Sequence, residues 1–151
     1  MNPGLKRILL AEDNPMDAEL ALSALEEQRV AHEIIVVQDG ADALDYLLQR
    51  GSYATRPAGP PVVAFLDLKM PRVDGLTLLR EMKSSPELRT IPVVMLTSSR
   101  EEQDLIRSYQ AGVNAYVVKP VDFQQYVEAV RKLGQFWAHI NEPPPPPRYS
   151  L

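Results

Sequence analysis

Short apolar segments alternate along this chain with longer segments in which apolar residues recur every three or four positions. The apolar segments are four or five residues long and lack the polar alternation of a strand that faces water on one side. Such segments are typical of strands buried on both faces, as in a parallel sheet. Five of them are present, at residues 8–11, 34–37, 62–66, 93–96 and 115–118.

The first two segments between the strands predict helices with recognisable ends. Asn14 followed by Pro15 indicates a helix start, because Asn caps the first turn and Pro fits its backbone. The second helix is predicted over residues 40–49, and Gly51 is placed to end it.

Three further helices are predicted in the second half of the chain. One follows Gly75, and the next opens at residues 99–102, which have the capping-box pattern. That fourth helix carries Leu105, Ile106 and Tyr109. The fifth helix has the clearest periodicity. Its apolar stripe comprises Phe123, Tyr126, Val127, Val130, Leu133 and Trp137.

Strand and helix therefore alternate five times. This order predicts an α/β fold in which helices cover both faces of a doubly wound parallel sheet, joined by right-handed crossovers. The domain is expected to occupy residues 1–140. A proline-rich tail is expected over residues 141–151, since residues 143–147 are consecutive prolines.

Composition narrows the classes of protein that this chain can be. The chain has 151 residues, of which 45% are hydrophobic and 24% charged, as in ordinary globular domains. It contains no cysteine, which excludes disulfides and thiolate metal sites and fits a cytoplasmic location. A net charge of −4 argues against nucleic acid or a membrane surface as a partner. No apolar run approaches the roughly 20 residues of a membrane span.

Polar side chains follow four of the five apolar segments. Glu12 and Asp13 follow the first, Asp67 the third, Thr97 the fourth and Lys119 the fifth. Because the carboxyl ends of parallel strands lie at one edge of the sheet, these groups are expected to converge. Each alone is more often a helix cap or a turn residue, but chance placement of all of them is improbable.

Three converging carboxylates repel one another unless a cation lies between them. Oxygen ligands without cysteine favour Mg²⁺. Together with the ammonium of Lys119 and the hydroxyl of Thr97, the metal would face Asp67. A carboxylate in such a setting can act as a nucleophile and form an acyl phosphate. The residues therefore predict a phosphoryl group accepted on Asp67.

Four motifs make the chain resemble the receiver domain of two-component response regulators. In chain order they are AEDN at residues 11–14, LDLKMPRVDG at 66–75, MLTS at 95–98 and YVVKP at 116–120. The resemblance covers residues 5–138, and the motifs occur in the right order on the predicted strands. It implies a flavodoxin-like receiver fold with five helices and the strand order 2-1-3-4-5.

The resemblance also implies a role for each matching residue. Asp67 would be phosphorylated by a sensor histidine kinase. Mg²⁺ would be held by Glu12, Asp13, Asp67 and the backbone carbonyl of Lys69. Thr97 and Lys119 would bind phosphoryl oxygens, and Tyr116 would turn inward when Thr97 is drawn toward the phosphoryl group. Pro120 would have a structural role, with a cis bond to Lys119 that aims the ammonium at the site.

Finer features resemble the single-domain regulators that are paired with bacterial phytochromes. These features are the long loop at residues 52–61, the segment 107–109, and residues 121–123 followed by 136–137. A phytochrome-like kinase is the implied partner. The residues after 140 leave no space for an output domain, so the output would be a protein contact. The chain would catalyse only its own Mg²⁺-dependent phosphorylation and dephosphorylation.

Other proteins of similar fold fit the residues less well. An aspartyl phosphatase needs a second Asp two positions after the nucleophile, where this chain has Lys69. A flavin module needs hydroxyls and amides after the first strand, where Glu12 and Asp13 would repel phosphate. A P-loop is excluded because the chain contains no Gly-Lys-Ser/Thr. A degenerate receiver that only binds partners is a further alternative, and the presence of all five site residues argues against it.

A homodimer is expected from the C-terminal half. Phe136, Trp137 and Ile140 follow Gly134 at the end of the fifth helix, where little core is left for them to enter. If exposed, they would form an apolar patch of the kind that marks an interface. The alternative is that these side chains fold over the sheet in a monomer.

Overall fold

The computed structural model describes residues 6–31 and 33–145. Within these residues one parallel sheet contains the strands β1 (Arg7–Ala11), β2 (Glu33–Val37), β3 (Val63–Leu66), β4 (Val93–Thr97) and β5 (Ala115–Val118). Their order across the sheet is β2-β1-β3-β4-β5. The predicted doubly wound sheet in the order 2-1-3-4-5 is confirmed, and each apolar segment lies on its own strand.

Five α-helices connect and follow the strands. They are α1 (Pro15–Glu27), α2 (Gly40–Leu47), α3 (Gly75–Ser84), α4 (Glu102–Gln110) and α5 (Phe123–Gln135). A 3-10 turn (Gly51–Tyr53) follows α2, and a π-helical turn (Phe136–Ile140) continues α5. In four helices a side chain accepts a hydrogen bond from the N–H three residues on, which satisfies an otherwise unpaired donor. The capping residues are Asn14, Asp39, Asp74 and Asp122.

The helices form two layers, one on each face of the sheet. Alternate residues of β1 face opposite layers, as the pleat of a strand requires. Ile8 and Leu10 pack with α1 and α5, whereas Leu9 and Ala11 pack with α2 and α3. The strands β1, β3 and β4 are buried along their whole length, and the edge strands β2 and β5 are only partly buried.

The end of α2 differs from the prediction. The helix ends at Leu47, and Gln49 has the left-handed backbone that closes it, with φ of 54°. The N–H of Gln49 donates to the carbonyl of Tyr46, and that of Arg50 donates to the carbonyl of Asp45. These two bonds form a Schellman motif that satisfies the last carbonyls of the helix. Gly51 therefore does not end α2 but begins the 3-10 turn.

The capping box predicted for α4 is wrong. The Ser99 hydroxyl does not cap the helix but donates to the carboxylate of Asp104 at 2.5 Å. The apolar Ile106 and Tyr109 are 47% and 56% exposed, and Ser108 is the fully buried residue of this helix. Apolar spacing shows which residues share a helix face, but not whether the sheet covers that face. Here α4 packs against α3 and leads into the partly buried edge strand β5.

The stripe of α5 faces the sheet except at its start. Tyr126 and Val130 are buried, but Phe123 is 61% exposed because the first turn of α5 begins beyond the end of β5. Residues 141–145 of the expected tail form no helix or strand, and residues 146–151 lie outside the described residues. In the two described ranges, no helix has the length and apolarity needed to cross a bilayer.

Two glycines hold the loop after β3 against the helices. A Cβ on Gly75 would lie 2.1 Å from the carbonyl oxygen of Asp67, and one on Gly40 would lie 2.1 Å from that of Val73. In return, the N–H of Gly75 donates to the carbonyl of Leu68 and that of Gly40 donates to the carbonyl of Val73. The backbone around Asp67 is thus fixed by contacts that only glycine permits.

We expect Gly75→Ala to lower the free energy of unfolding by about 3 kcal/mol, because the added methyl group meets backbone that cannot move aside. Gly134→Ala is the matched control. Its Cβ would meet the end of the Leu25 side chain at 2.7 Å, and alanine is favoured by about 1 kcal/mol inside a helix. Urea unfolding followed by circular dichroism measures both variants. Equal losses of stability would contradict the close-approach argument.

Candidate functional site

The carboxyl ends of the strands bring the predicted site residues to one edge of the sheet. Glu12 and Asp13 follow β1, Asp67 follows β3, Thr97 ends β4 and Lys119 follows β5. The strand pairing continues into this edge. The N–H of Asp67 donates to the carbonyl of Ala11 at 3.0 Å, and that of Lys119 donates to the carbonyl of Thr97 at 2.8 Å.

Three carboxylates form a cluster at this edge. One oxygen from each of Glu12, Asp13 and Asp67 lies within 4.8 Å of the other two. Glu12 and Asp67 are buried, whereas Asp13 is exposed. Burial and the hydrogen bond with Asp67 raise the pKa of Glu12 to about 8, although the ammonium of Lys119 acts in the opposite direction. The cluster therefore needs positive charge for all three groups to be ionised together.

The ammonium of Lys119 supplies part of that charge. Its Nζ lies 2.5 Å from Glu12 Oε1, 2.9 Å from Asp17 Oδ2 and 3.1 Å from Asp67 Oδ2. Burial alone would lower the pKa of Lys119. Its hydrogen bonds to Glu12 and Asp17 and the charge of Asp67 outweigh burial and hold the pKa above its usual value. Lys119 is thus a buried cation with all three N–H donors engaged.

The prediction of a cis bond between Lys119 and Pro120 is wrong, because the described residues contain no cis peptide bond. Trans is the usual state of an X–Pro bond. From the trans backbone the four-carbon side chain of Lys119 already reaches Asp67. The direction of the ammonium therefore does not require the cis isomer.

The donor atoms fit a hard divalent cation. Among the described residues, these three carboxylates are the cluster able to share a metal ion, and they offer only oxygen. The loop after Asp67 turns back on that carboxylate, with the N–H of Lys69 at 3.4 Å from Asp67 Oδ1. The Lys69 side chain is exposed and lines a groove of about 610 Å³ that also reaches Asp13 and Arg107. The cluster is thus open to solvent on the side of Asp13.

Thr97 and Tyr116 both contact the loop that follows β4. The buried Thr97 hydroxyl accepts a hydrogen bond from the N–H of Ser99 at 3.3 Å. The phenol of the half-buried Tyr116 donates to the carbonyl of Ser99 at 3.1 Å. Burial raises the pKa of Tyr116. One residue, Ser99, therefore connects the hydroxyl beside Asp67 with the aromatic ring on β5.

Sequence reasoning missed the third partner of Lys119, which is Asp17. This residue lies in the first turn of α1, and its N–H donates to the cap Asn14. The first turn of a helix that starts three residues after β1 faces the same edge as Glu12. Helix geometry could therefore have placed Asp17 near the cluster, but no spacing rule points to Lys119, which is 102 residues away.

An ion pair on the loop after β3 was also missed. The Arg72 guanidinium donates two hydrogen bonds to Asp39, at 2.9 and 3.0 Å. Burial would raise the pKa of Asp39. The N–H of Asp42 and the Arg72 guanidinium outweigh it and hold that pKa below the usual value. Arg72 has a left-handed backbone with φ of 64°. The pair ties the loop that carries Lys69 to the start of α2.

Comparison with known proteins gives the family context of this site. Residues 8–131 match the model of the response regulator receiver domain. The chain is similar to response regulator Rcp1 of Synechocystis sp., with 39% identity over 132 residues that cover 87% of this chain and 88% of Rcp1. The resemblance that the motifs indicated is therefore confirmed.

Solved structures with a similar fold include phytochrome response regulators. The phosphorylated cyanobacterial phytochrome response regulator RcpA has a TM-score of 0.87 and 40% identity, covering 93% of this chain and 99% of RcpA. The bacteriophytochrome response regulator AtBRR has a TM-score of 0.73 and 61% identity, covering 91% and 99%. The Mn²⁺-bound form of Rcp1 has a TM-score of 0.86 and 37% identity, covering 92% and 99%.

We expect Mg²⁺ to stabilise the protein through the carboxylate cluster. A ligand at a hundred times its Kd raises the free energy of unfolding by about 2.7 kcal/mol. Asp13→Asn should reduce this gain, since it removes a ligand that is exposed and outside the core. Thermal unfolding at increasing Mg²⁺ measures the effect, with Glu19→Gln on the exposed side of α1 as the control. If Asp13→Asn and Glu19→Gln responded alike, the cluster would not be the metal site.

Proposed function

The chain belongs to the response regulator receiver domain family, and from that membership we propose that it accepts a phosphoryl group on Asp67 from a histidine kinase. The observation that carries the proposal is the ammonium of Lys119 at 3.1 Å from Asp67 Oδ2, beside the other two carboxylates. A carboxylate held by a cation in an acidic, open pocket suits the formation of an acyl phosphate.

The transfer is a displacement at phosphorus. An oxygen of Asp67 attacks the phosphoryl group of a phosphohistidine. The new O–P bond forms as the P–N bond breaks, and the electron pair returns to the imidazole of the kinase. Lys119 and Thr97 donate hydrogen bonds to phosphoryl oxygens as their negative charge is redistributed. Such positioning and charge neutralisation account for most of the catalysis in phosphoryl transfer.

Mg²⁺ is the proposed cofactor. Its proposed ligands are Glu12, Asp13, Asp67 and the backbone carbonyl of Lys69. The oxygen-only donor set supports a hard cation, and the relative Rcp1 has a Mn²⁺-bound structure. When bound, Mg²⁺ supplies positive charge that neutralises phosphoryl oxygens. Lys119 would then balance the remaining carboxylate charge.

The proposed response begins at Thr97. When its hydroxyl turns to the phosphoryl group, it leaves the N–H of Ser99, which it contacts at 3.3 Å. The loop after β4 then moves with respect to Tyr116, which donates to the carbonyl of Ser99. That loop leads directly into α4, where Ile106 and Tyr109 are exposed. We propose this face as the surface that changes on phosphorylation.

The family is one of non-enzymatic signalling domains, so we propose that this chain signals in the cytoplasm through protein contacts alone. A phytochrome-like kinase is the proposed donor. The similarity to RcpA and AtBRR, both phytochrome response regulators, supports this choice. The acidic net charge of −4 argues against nucleic acid or an anionic membrane as the target.

We also propose a homodimer through the end of α5. Phe136 and Ile140 are 43% and 71% exposed, and Trp137 packs edge-on against Phe136 with ring centroids 5.0 Å apart. An exposed aromatic and aliphatic pair near the chain end is typical of an interface. The receiver unit is proposed to end at residue 140, with residues 141–151 as a proline-rich tail, of which residues 146–151 lie outside the described residues.

The phosphorylation proposal predicts that the purified chain gains the mass of one phosphoryl group from acetyl phosphate and Mg²⁺. Asp67→Asn should gain none, because the amide lacks the nucleophilic carboxylate. Omission of Mg²⁺ should slow the reaction by at least about a hundredfold, since charge neutralisation supplies most of the catalysis. Mass spectrometry of the intact protein measures the product. An Asp67→Asn protein phosphorylated at the normal rate would refute the assignment.

The dimer proposal predicts self-association in the micromolar range by analytical ultracentrifugation. Ile140→Ser and Phe136→Ser should weaken it by about tenfold each, as for interface residues of moderate importance. These variants are preferable to truncation after Gly134, which would also remove the buried Ala138. Leu48→Ser, an exposed leucine at the end of α2, is the control. A protein that is monomeric with and without a phosphoryl analogue would end the proposal.

A further inference from the structure

The ammonium of Lys119 donates to three carboxylates, of which only two belong to the cluster that can share a metal ion. Glu12 and Asp67 belong to the carboxylate cluster that can share a metal ion, but Asp17 does not. A metal held by Glu12 and Asp67 competes with Lys119 for their oxygens. A phosphoryl group bonded to Asp67 would remove the negative charge of the carboxylate that Lys119 contacts there. The contact of 2.9 Å with Asp17 is the one that neither event opposes.

The backbone of Asp17 is held in place by two elements. Its N–H donates to Asn14 Oδ1 at 3.0 Å, which fixes the first turn of α1. Its carbonyl accepts a hydrogen bond from the phenol of Tyr126 on α5 at 3.3 Å, and the Tyr126 side chain is buried. Asp17 is therefore a rigid support, anchored to α1 and α5, for a side chain that comes from the end of β5.

The carboxylate of Asp17 is not needed as a helix cap. In a capping box, the acid at this position would accept a hydrogen bond from the N–H of the capping residue. Here the N–H of Asn14 donates instead to Glu12 Oε2 at 3.2 Å. The Asp17 carboxylate is left to Lys119, with 29% of its side chain exposed.

We infer that Asp17 is a positioning residue, which keeps the ammonium of Lys119 in the site when the metal and the phosphoryl group take over its contacts with Glu12 and Asp67. The inference rests on the proposed function. It assigns to an acid outside the metal cluster the task of holding Lys119 within reach of the phosphoryl oxygens. Without Asp17, Lys119 has only metal ligands to bind and competes with the cation.

The first test compares Asp17→Ala with wild type in phosphorylation by acetyl phosphate at saturating Mg²⁺. We expect the rate to fall by about tenfold, the usual effect of losing a charged hydrogen bond. Asp17→Glu keeps the carboxylate and has room at the exposed side, so it should recover most of the rate. Glu19→Gln removes an exposed acid of the same helix and should have no effect. An unchanged rate in Asp17→Ala would overturn the inference.

A double-mutant cycle with Lys119→Met separates positioning from the general effect of a negative charge. Mg²⁺ affinity, measured by calorimetry with the metal alone, should fall by about threefold to tenfold in Asp17→Ala, because Lys119 then competes for Glu12 and Asp67. In the Lys119→Met background the same substitution should change it little. An equal loss in both backgrounds would show that Asp17 acts only by its charge and would overturn the inference.

A third test needs no phosphorylation and measures the mobility of the Lys119 side chain. The ¹⁵N resonance of the Lys119 ammonium, assigned by its loss in Lys119→Met, reports the mobility of this side chain. When Mg²⁺ is added, the ammonium should remain ordered in wild type and become mobile in Asp17→Ala. Mobility in both proteins would overturn the inference. If wild type gained no phosphoryl group at all, the proposed function would fail, while this arm and the Mg²⁺ arm would still decide the role of Asp17.

Discussion

The ammonium of Lys119 donates to three carboxylates at the edge of a buried sheet. Carboxylates at such distances repel strongly where water is excluded, so their closeness depends on cations. One ammonium does not balance Glu12, Asp13 and Asp67, and burial together with the contact to Asp67 raises the pKa of Glu12 to about 8 despite the ammonium. The site therefore has more negative than positive charge, and this imbalance suits the binding of a metal ion that assists the transfer of a phosphoryl group.

The backbone around this edge is held rigid by contacts from several elements. Gly75 and Gly40 let α3 and α2 approach the loop after β3 to distances that a side chain would prevent. The pair of Arg72 and Asp39 ties the same loop to α2 from the outside. Like charges held by a flexible loop would separate. The close backbone packing therefore maintains the cluster that electrostatic repulsion opposes.

The centre of the sheet is more deeply buried than its two edges. The strands β1, β3 and β4 are wholly buried, whereas β2 and β5 are partly exposed, and α4 next along the chain to β5 leaves Ile106 and Tyr109 in solvent. Regions with less buried apolar surface open and shift at lower free energy. The hydrogen bonds of Thr97 and Tyr116 to Ser99 lead from the cluster into this looser side. A change at Asp67 would thus be transmitted where the structure resists it least.

Local patterns in the sequence were enough to predict the strands, the layered fold and the convergence of polar side chains at one edge. The converging residues are Glu12, Asp13, Asp67, Thr97 and Lys119. These features depend on local periodicity and on the rule that parallel strands end at one edge. The motifs added the order of the strands. Helix caps at Asn14, Asp39, Asp74 and Asp122 are also local, although only Asn14 was recognised as one.

Which apolar helix faces are covered, and which charged side chains meet, depends on how the elements pack in three dimensions. Spacing placed Ile106, Tyr109 and Phe123 on helix faces, but the width and length of the sheet left them in solvent. Spacing also placed Ser99 as the cap of α4, but its hydroxyl donates to the carboxylate of Asp104. The contact between Asp17 and Lys119 joins α1 to β5 across 102 residues. No local pattern encodes such a contact, because it exists only once the strand order and the packing of α5 on α1 have brought the two side chains together.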